Sequence, residues 1–304
     1  VSEAPRLLDA EDVIADVLGR LPPGVLGNVV VIGSIAAAWS FRDLEQASRV
    51  STKDIDILLR PAVEASGAAS EIAEALLAEG WEPYYPRGVS AADARTPDEH
   101  LPALRLRPPE VAGGWFLELI GEPDAGQVER RAWRRFETSA GHFGLPSFRF
   151  LRVATHGAVA AGAGLRIAHP AAMALANLLE HADPDQTVMS ASAVGPGMRR
   201  FEKDVGRAVA LWWLATQQAP EAIARTEWND RWSEAASDLR IPSFDPCAQA
   251  LALLEDGDTR ARALLLASTG MLAGTAITHA EYAQAWQQLC GWVGNLPIRP
   301  PAGE

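Results

Sequence analysis

The run Val29-Val30-Val31-Ile32-Gly33-Ser34, answered further on by Thr52-Lys53-Asp54-Ile55-Asp56-Ile57-Leu58-Leu59, constrains this chain more than any other feature. The first run reads as a buried strand ending in a Gly-Ser turn, followed by a short helix of small residues over Ser34–Phe41. The second reads as a strand carrying two carboxylates. Successive side chains of a strand alternate between faces, so Asp54 and Asp56 project side by side with Ile55 and Ile57 buried behind them. Two like charges that close raise each other's pKa unless a cation neutralises them. A hard cation with oxygen ligands fits, and Mg²⁺ is usually held by one or two carboxylates plus substrate phosphates. Gly33 allows close approach of the backbone to a ligand, and Ser34 opens a helix whose free N–H groups attract phosphate. A carboxylate pair facing such a turn is the apparatus of phosphoryl or nucleotidyl transfer.

The periodicities around this pair predict an α/β start. Residues 9–20 (DAEDVIADVLGR) read as an amphipathic helix capped by Asp9 and stopped by Pro22-Pro23. A polar connection over 43–51 is followed, after the Asp54–Leu59 strand, by an amphipathic helix over 64–79 ending at Gly80. Strands are predicted at 81–85, 103–107 and 115–120, with a mobile polar loop over 86–100. The stretch QVERRAWRRF, residues 127–136, reads as a short helix with a basic face, either solvated or a contact for phosphates. Residues 142–169 suggest two or three short strands with Gly-rich turns. After His169-Pro170 helices are predicted near 170–182, 200–217, 220–237, 245–255, 259–273 and 279–293, and a disordered end over 296–304. Six tryptophans (212, 213, 228, 232, 286, 292) lie in that helical part, as a bundle core or as a base-stacking platform.

The expected fold class is therefore an α/β (α+β) domain with a mixed sheet over 1–165, followed by an α-helical domain over 166–304. Within the strand at 115–120, Glu118 is a lone carboxylate amid apolar neighbours. Such a group is costly unless it meets a partner or a metal, or faces solvent from an edge strand. Glu122 and Asp124 follow in the next loop as alternatives.

Gly33-Ser34, Arg49 and Thr52-x-Asp54-x-Asp56 resemble the nucleotidyltransferases of the DNA polymerase β superfamily. The resemblance is to the AbiEii-like branch, known from abortive-infection type IV toxins, whose usual run is Gly-Gly/Ser, a small-residue helix, then Arg-x-Thr-x-Asp-Ile-Asp. Here two residues rather than one separate Arg49 from Thr52. The likeness is strongest over residues 28–60 and extends more weakly toward residue 215. It implies a nucleotidyltransferase-like sheet domain and transfer of an NMP from an Mg-NTP to a hydroxyl acceptor, with release of pyrophosphate. It implies that Asp54, Asp56 and Glu118 form a catalytic set holding two Mg²⁺ ions, with Mn²⁺ as an alternative, and that the third carboxylate deprotonates the attacking hydroxyl. Gly33 and Ser34 would bind the nucleotide phosphates. The branch also carries a lysine in the helix after a proline, where this chain has Asn177, and a later Lys-Asp pair, matched here by Lys203-Asp204.

Of the 27 basic residues only two are lysines, Lys53 inside the Asp-Ile-Asp motif and Lys203 in the Lys-Asp pair. Both are therefore candidate nucleotide contacts, as is Asp204, which would orient Lys203 or hold the nucleotide, although Lys203 and Asp204 also suit the charge pairs of a surface helix. The net charge of −12 argues against sequence-blind wrapping of nucleic acid. No apolar run approaches the ~20 residues of a membrane span, and the segment that opens this sequence lacks a signal-peptide layout. The two cysteines and six histidines show no disulfide or zinc spacing. A cytoplasmic, metal-dependent nucleotidyltransferase is the expectation, acting on tRNA, a protein or a small molecule such as an aminoglycoside, with an antitoxin as a possible partner. The alternative is a catalytically inactive protein of the same fold that binds a nucleotide or a partner.

Overall fold

The computed structural model describes residues 7–86, 89–109, 115–162, 164–182, 188–189 and 194–296, apart from the side chain of Leu18. Residues 297–304, most of the tail expected to be disordered, lie outside the described residues, as do Pro184 and positions 87–88 of the expected mobile loop.

The chain begins β1 (Leu7–Asp9), α1 (Ala10–Arg20), β2 (Val29–Ile32), α2 (Gly33–Ser40), β3 (Arg49–Ser51), β4 (Asp54–Leu59) and α3 (Ala65–Ala78). Asp9 caps α1 through hydrogen bonds from the Glu11 and Asp12 amides, and Gly80, at φ 85°, follows the end of α3. Next come β5 (Glu82–Pro83), β6 (Arg105–Arg107), β7 (Phe116–Gly121), β8 (Arg131–Thr138) and β9 (Gly141–Phe148). A short α4 (Leu151–Ala154) leads to β10 (Val159–Gly162) and β11 (Leu165–Ile167). From Pro170 the elements among the described residues are helices: α5 (Pro170–Glu180), α6 (Arg200–Gln218), α7 (Glu221–Asp238), α8 (Asp245–Ala252), α9 (Gly257–Ser268) and α10 (His279–Val293).

Among the described residues seven strands form one mixed sheet in the order β10-β11-β2-β4-β7-β6-β5. Its centre is the triplet β2, β4 and β7, with β2 antiparallel and β7 parallel to β4. All four residues of β2 are buried, as are Ile55 and Ile57–Leu59 of β4. That is the burial of a strand covered on both faces. The β7 strand lies between β4 and β6, so Glu118 is not on an edge. Helices α5 and α6 pack along each other, and α2 meets α5. The buried side chains of sheet and helices form one continuous cluster. Among the described residues no helix is long and apolar enough to cross a membrane.

The helix expected over 127–136 is a correction: Arg131–Thr138 is strand β8, paired residue for residue with β9 from Arg131↔Phe148 to Thr138↔Gly141. A two-residue turn at Ser139-Ala140 closes the hairpin, and Gly141 takes φ 126° beyond it. Burial of Phe136 against Phe143, at 6.0 Å between ring centres, outweighs the local preference for a helix. The basic face dissolves with the helix: Arg130 pairs with Glu180, Arg134 with Asp124 and Arg135 with Asp98.

Of the tryptophans of the helical part, all but the partly buried Trp286 are core. Trp212, Trp228 and Trp232 are fully buried, and Trp292 nearly so, lying 4.7 Å from Trp232 and 5.5 Å from Trp212 between ring centres. The Trp232 indole N–H donates to the Ala171 carbonyl at 2.9 Å, which ties α7 to α5.

Candidate active site

The site is built where β2 ends beside β4. Ile32 pairs with Asp56, so the turn after β2 stands directly over the second carboxylate. Gly33 has φ 75°, and a Cβ placed on it would stand 2.7 Å from Asp56 Oδ2. The turn and the carboxylate are thus in contact, which only glycine permits. Asp54 and Asp56 share a face by strand alternation, both partly exposed, with Ile55 and Ile57 buried behind them. The Thr52 hydroxyl donates to Asp54 Oδ1 at 2.6 Å and fixes its orientation.

The parallel register of β7 sets Phe116 opposite Asp54 and Glu118 opposite Asp56. Glu118 therefore joins the carboxylate face, but its charge is met by Arg105 of β6, whose Nε donates to Glu118 Oε2 at 2.9 Å. Glu122 and Asp124 lie elsewhere: Glu122 is buried between Arg60 and Arg152 and accepts the Ala62 amide, and Asp124 pairs with Arg134.

Helix α6 brings cations over the pair. Arg200, Lys203 and Arg207 fall at i, i+3 and i+7 and share one helix face. The Arg207 guanidinium donates to the hydroxyl of buried Ser34 at 3.1 Å. Burial pushes the Asp54 carboxyl up, yet Lys203, the Thr52 hydrogen bond and Arg207 outweigh it and leave it below the ordinary carboxylate range. Asp56 goes the other way: burial, then the charges of Asp54 and Glu118, push it up to about 8. Lys203 is pulled down to about 8, first by Arg207 and then by burial. The Asp56 carboxyl and the Lys203 ammonium are thus poised near neutrality, as at sites where charge is to be exchanged with a ligand.

Asp204 is placed differently from a ligand contact. It is buried between the Arg200 guanidinium at 2.7 Å and His181 Nε2 at 3.0 Å. Burial opposes its charge, but Arg200 and His181 hold it well below the ordinary range. Asp204 therefore orients Arg200, whose guanidinium also feels Asp56 and Asp54. Lys53, one position from Asp54 in the strand alternation, is exposed. Arg49 is exposed on β3, and Asn177 is partly buried on α5.

The fold thus gathers Gly33, Ser34, Asp54, Asp56, Glu118 and Lys203, leaves Lys53 outside, and adds Arg105, Arg200 and Arg207. Among the described residues no group of three or more His, Cys, Asp and Glu side chains is gathered as a full metal cage. The donor set is the pair Asp54 and Asp56, which fits a cation that draws its other ligands from phosphate and water. Compared with models of protein families, with curated proteins and with solved structures, the chain matches none.

Proposed function

We propose that this protein is a metal-dependent nucleotidyltransferase that moves an NMP from an Mg-NTP to a hydroxyl acceptor and releases pyrophosphate. The observation that carries the reading is the contact of Gly33 with Asp56, under Lys203 and Arg207 of α6. It brings a glycine turn, a carboxylate pair and two cations together, which supports a site for a phosphate-bearing ligand. The membership of the DNA polymerase β superfamily suggested by the motif, and its AbiEii-like branch, belong to this proposal.

Asp54 and Asp56 would hold Mg²⁺, which when bound supplies charge neutralisation for the attacking and leaving oxygens. The amides after Gly33 and the Ser34 hydroxyl would take the β- and γ-phosphates, with Lys203 and Arg207 countering their charge. Arg200, held by Asp204, adds a third cation beside the pair. Glu118 would accept the proton of the acceptor hydroxyl, for which Arg105 must release it. Catalysis on this plan is positioning and charge neutralisation rather than covalent chemistry.

The Glu118–Arg105 ion pair also favours a second reading, a nucleotide-binding protein on the same scaffold without transfer. Calorimetry with each Mg-NTP tests the shared premise. The parent binds, and Asp54→Asn with Asp56→Asn abolishes binding; equal binding by parent and variant would refute both readings.

A further inference from the structure

A cavity of about 210 Å³ lies at the opposite end of α2 from the carboxylate pair. Helix α2 opens at Gly33-Ser34 beside Asp56 and closes at Trp39-Ser40, about 12 Å along its axis, where the cavity begins. The last turn of α6, at Gln218, forms a second wall, well past the turns that carry Lys203 and Arg207. Phe41 and Trp228 are buried at its base, and Gln218 and Glu227 are exposed at its mouth.

The lining offers negative charge without a cation to answer it. Among the described residues Glu227 is its one charged side chain, and no lysine or arginine lines it. His169 is engaged at both ring nitrogens: Nδ1 accepts the Ala171 amide at 3.2 Å, which leaves the proton on Nε2, 3.0 Å from Glu227 Oε1. Burial keeps this imidazole below the ordinary histidine range against the pull of Glu227, so it is neutral at neutral pH. That contact uses one Glu227 oxygen and leaves Oε2 for a ligand. The N-terminus of α5 also reaches the cavity, but Pro170 has no N–H and His169 takes the Ala171 amide. Helices α2 and α6 both end there with no basic residue in their last turns, so the negative ends of two helix dipoles meet at the cavity. Arg231, one turn along α7 from Glu227, lies outside the lining and pairs with Glu234.

We propose that this cavity binds a small organic cation, its ammonium against Glu227 and its carbons against Trp39, Phe41 and Trp228. Aromatic rings beside a carboxylate hold an ammonium by cation–π attraction and ion pairing together. Trp39 already draws one cation from outside: Arg42, which does not line the cavity, lies 4.1 Å from its ring centre and is held there by Glu11 at 3.2 Å. The volume falls below the ~300 Å³ at which drug-sized sites begin and suits an amine of a few carbons. An anion would meet Glu227 and two helix C-termini, so the cavity is not a second phosphate site. None of its residues belongs to the carboxylate face, and the proposal stands apart from the transferase reading.

The test is calorimetry of the full chain with choline, with putrescine, and with the neutral alcohol in which carbon replaces the choline nitrogen. The parent binds at least one of the two cations and not the alcohol. Glu227→Gln keeps an acceptor for His169 and removes the charge; it weakens binding about tenfold or more. Ala219→Leu, which fills the cavity from the end of α6, abolishes binding, and circular dichroism checks that both variants fold. If Ala219→Leu does not fold, the exposed Glu227→Gln decides alone. Asp54→Asn leaves the cation affinity unchanged. No binding of either cation by the parent, equal binding of choline and the alcohol, or parental affinity in Glu227→Gln would each overturn the site. Binding lost in Asp54→Asn would assign the cation to the carboxylate pair and overturn it as well.

Discussion

Gly33 and Asp56 occupy adjoining space so closely that a Cβ on residue 33 would stand 2.7 Å from the Asp56 carboxylate, at a backbone φ of 75°. Gly33→Ala therefore meets both a clash and a left-handed backbone, the latter costing ~1–2 kcal/mol. Thermal melting will show the loss, and Mg-NTP affinity will fall with the displaced Asp56. Gly67→Ala is the control: it lies in α3 with open space around its Cβ, and alanine there will stabilise by ~0.5–1 kcal/mol.

Asp56 carries a pH signature. Its carboxyl sits near about 8 in the fold against 3.8 for an unperturbed aspartate, so the native state binds the extra proton between those values. Stability from this group is full below about 4 and is lost as pH rises to about 8. In metal-free buffer Asp56→Asn removes that loss, and its Tm advantage over the parent will grow from pH 5 to 8, by roughly 2–4 °C per kcal/mol. A constant offset across that range would contradict the assignment. Because the proton must leave before a cation binds, apparent Mg²⁺ affinity will rise by about tenfold per pH unit from pH 6 toward 8.

Lys203 and Arg207 hold Asp54 ionised. Removing either as Lys203→Met or Arg207→Met will weaken Mg-NTP binding by about 10–100-fold, the range of one charge-assisted hydrogen bond. Calorimetry at two salt concentrations checks it, with a shallower salt dependence in each variant.

Glu118→Gln separates the two readings of the site. With Glu118 as the base, the variant binds Mg-NTP as the parent does and transfers about 10²–10⁴ times more slowly. A rate unchanged by the substitution would leave Glu118 as a partner of Arg105 alone.

Much of this site is legible in the linear chain because its first half is local. Strand, turn, short helix and returning strand follow within residues 29–59, and period-two alternation alone sets Asp54 beside Asp56. The helices after Pro170 are legible for the same reason, through their period and the breakers between them. Strand β8 is not: RRAWRR carries the composition of a solvated helix, and the Thr138–Gly141 turn that makes it a hairpin is a weaker signal. Arg207 was within reach, since Arg200, Lys203 and Arg207 repeat at helical spacing, but its partner Ser34 lies 173 residues away. Arg105 and Glu118 meet only through the β4-β7-β6 order, a long-range pairing that no local period encodes.

Pyrophosphate release from each of the four NTPs with Mg²⁺ or Mn²⁺, offering total tRNA, casein and an aminoglycoside mixture as acceptors, decides whether the protein is a nucleotidyltransferase. A transferase built on Asp54 and Asp56 will release pyrophosphate only with metal and an acceptor, and the release will vanish in Asp54→Asn/Asp56→Asn. Release that persists in that variant, or no release from the parent under any combination, would contradict it.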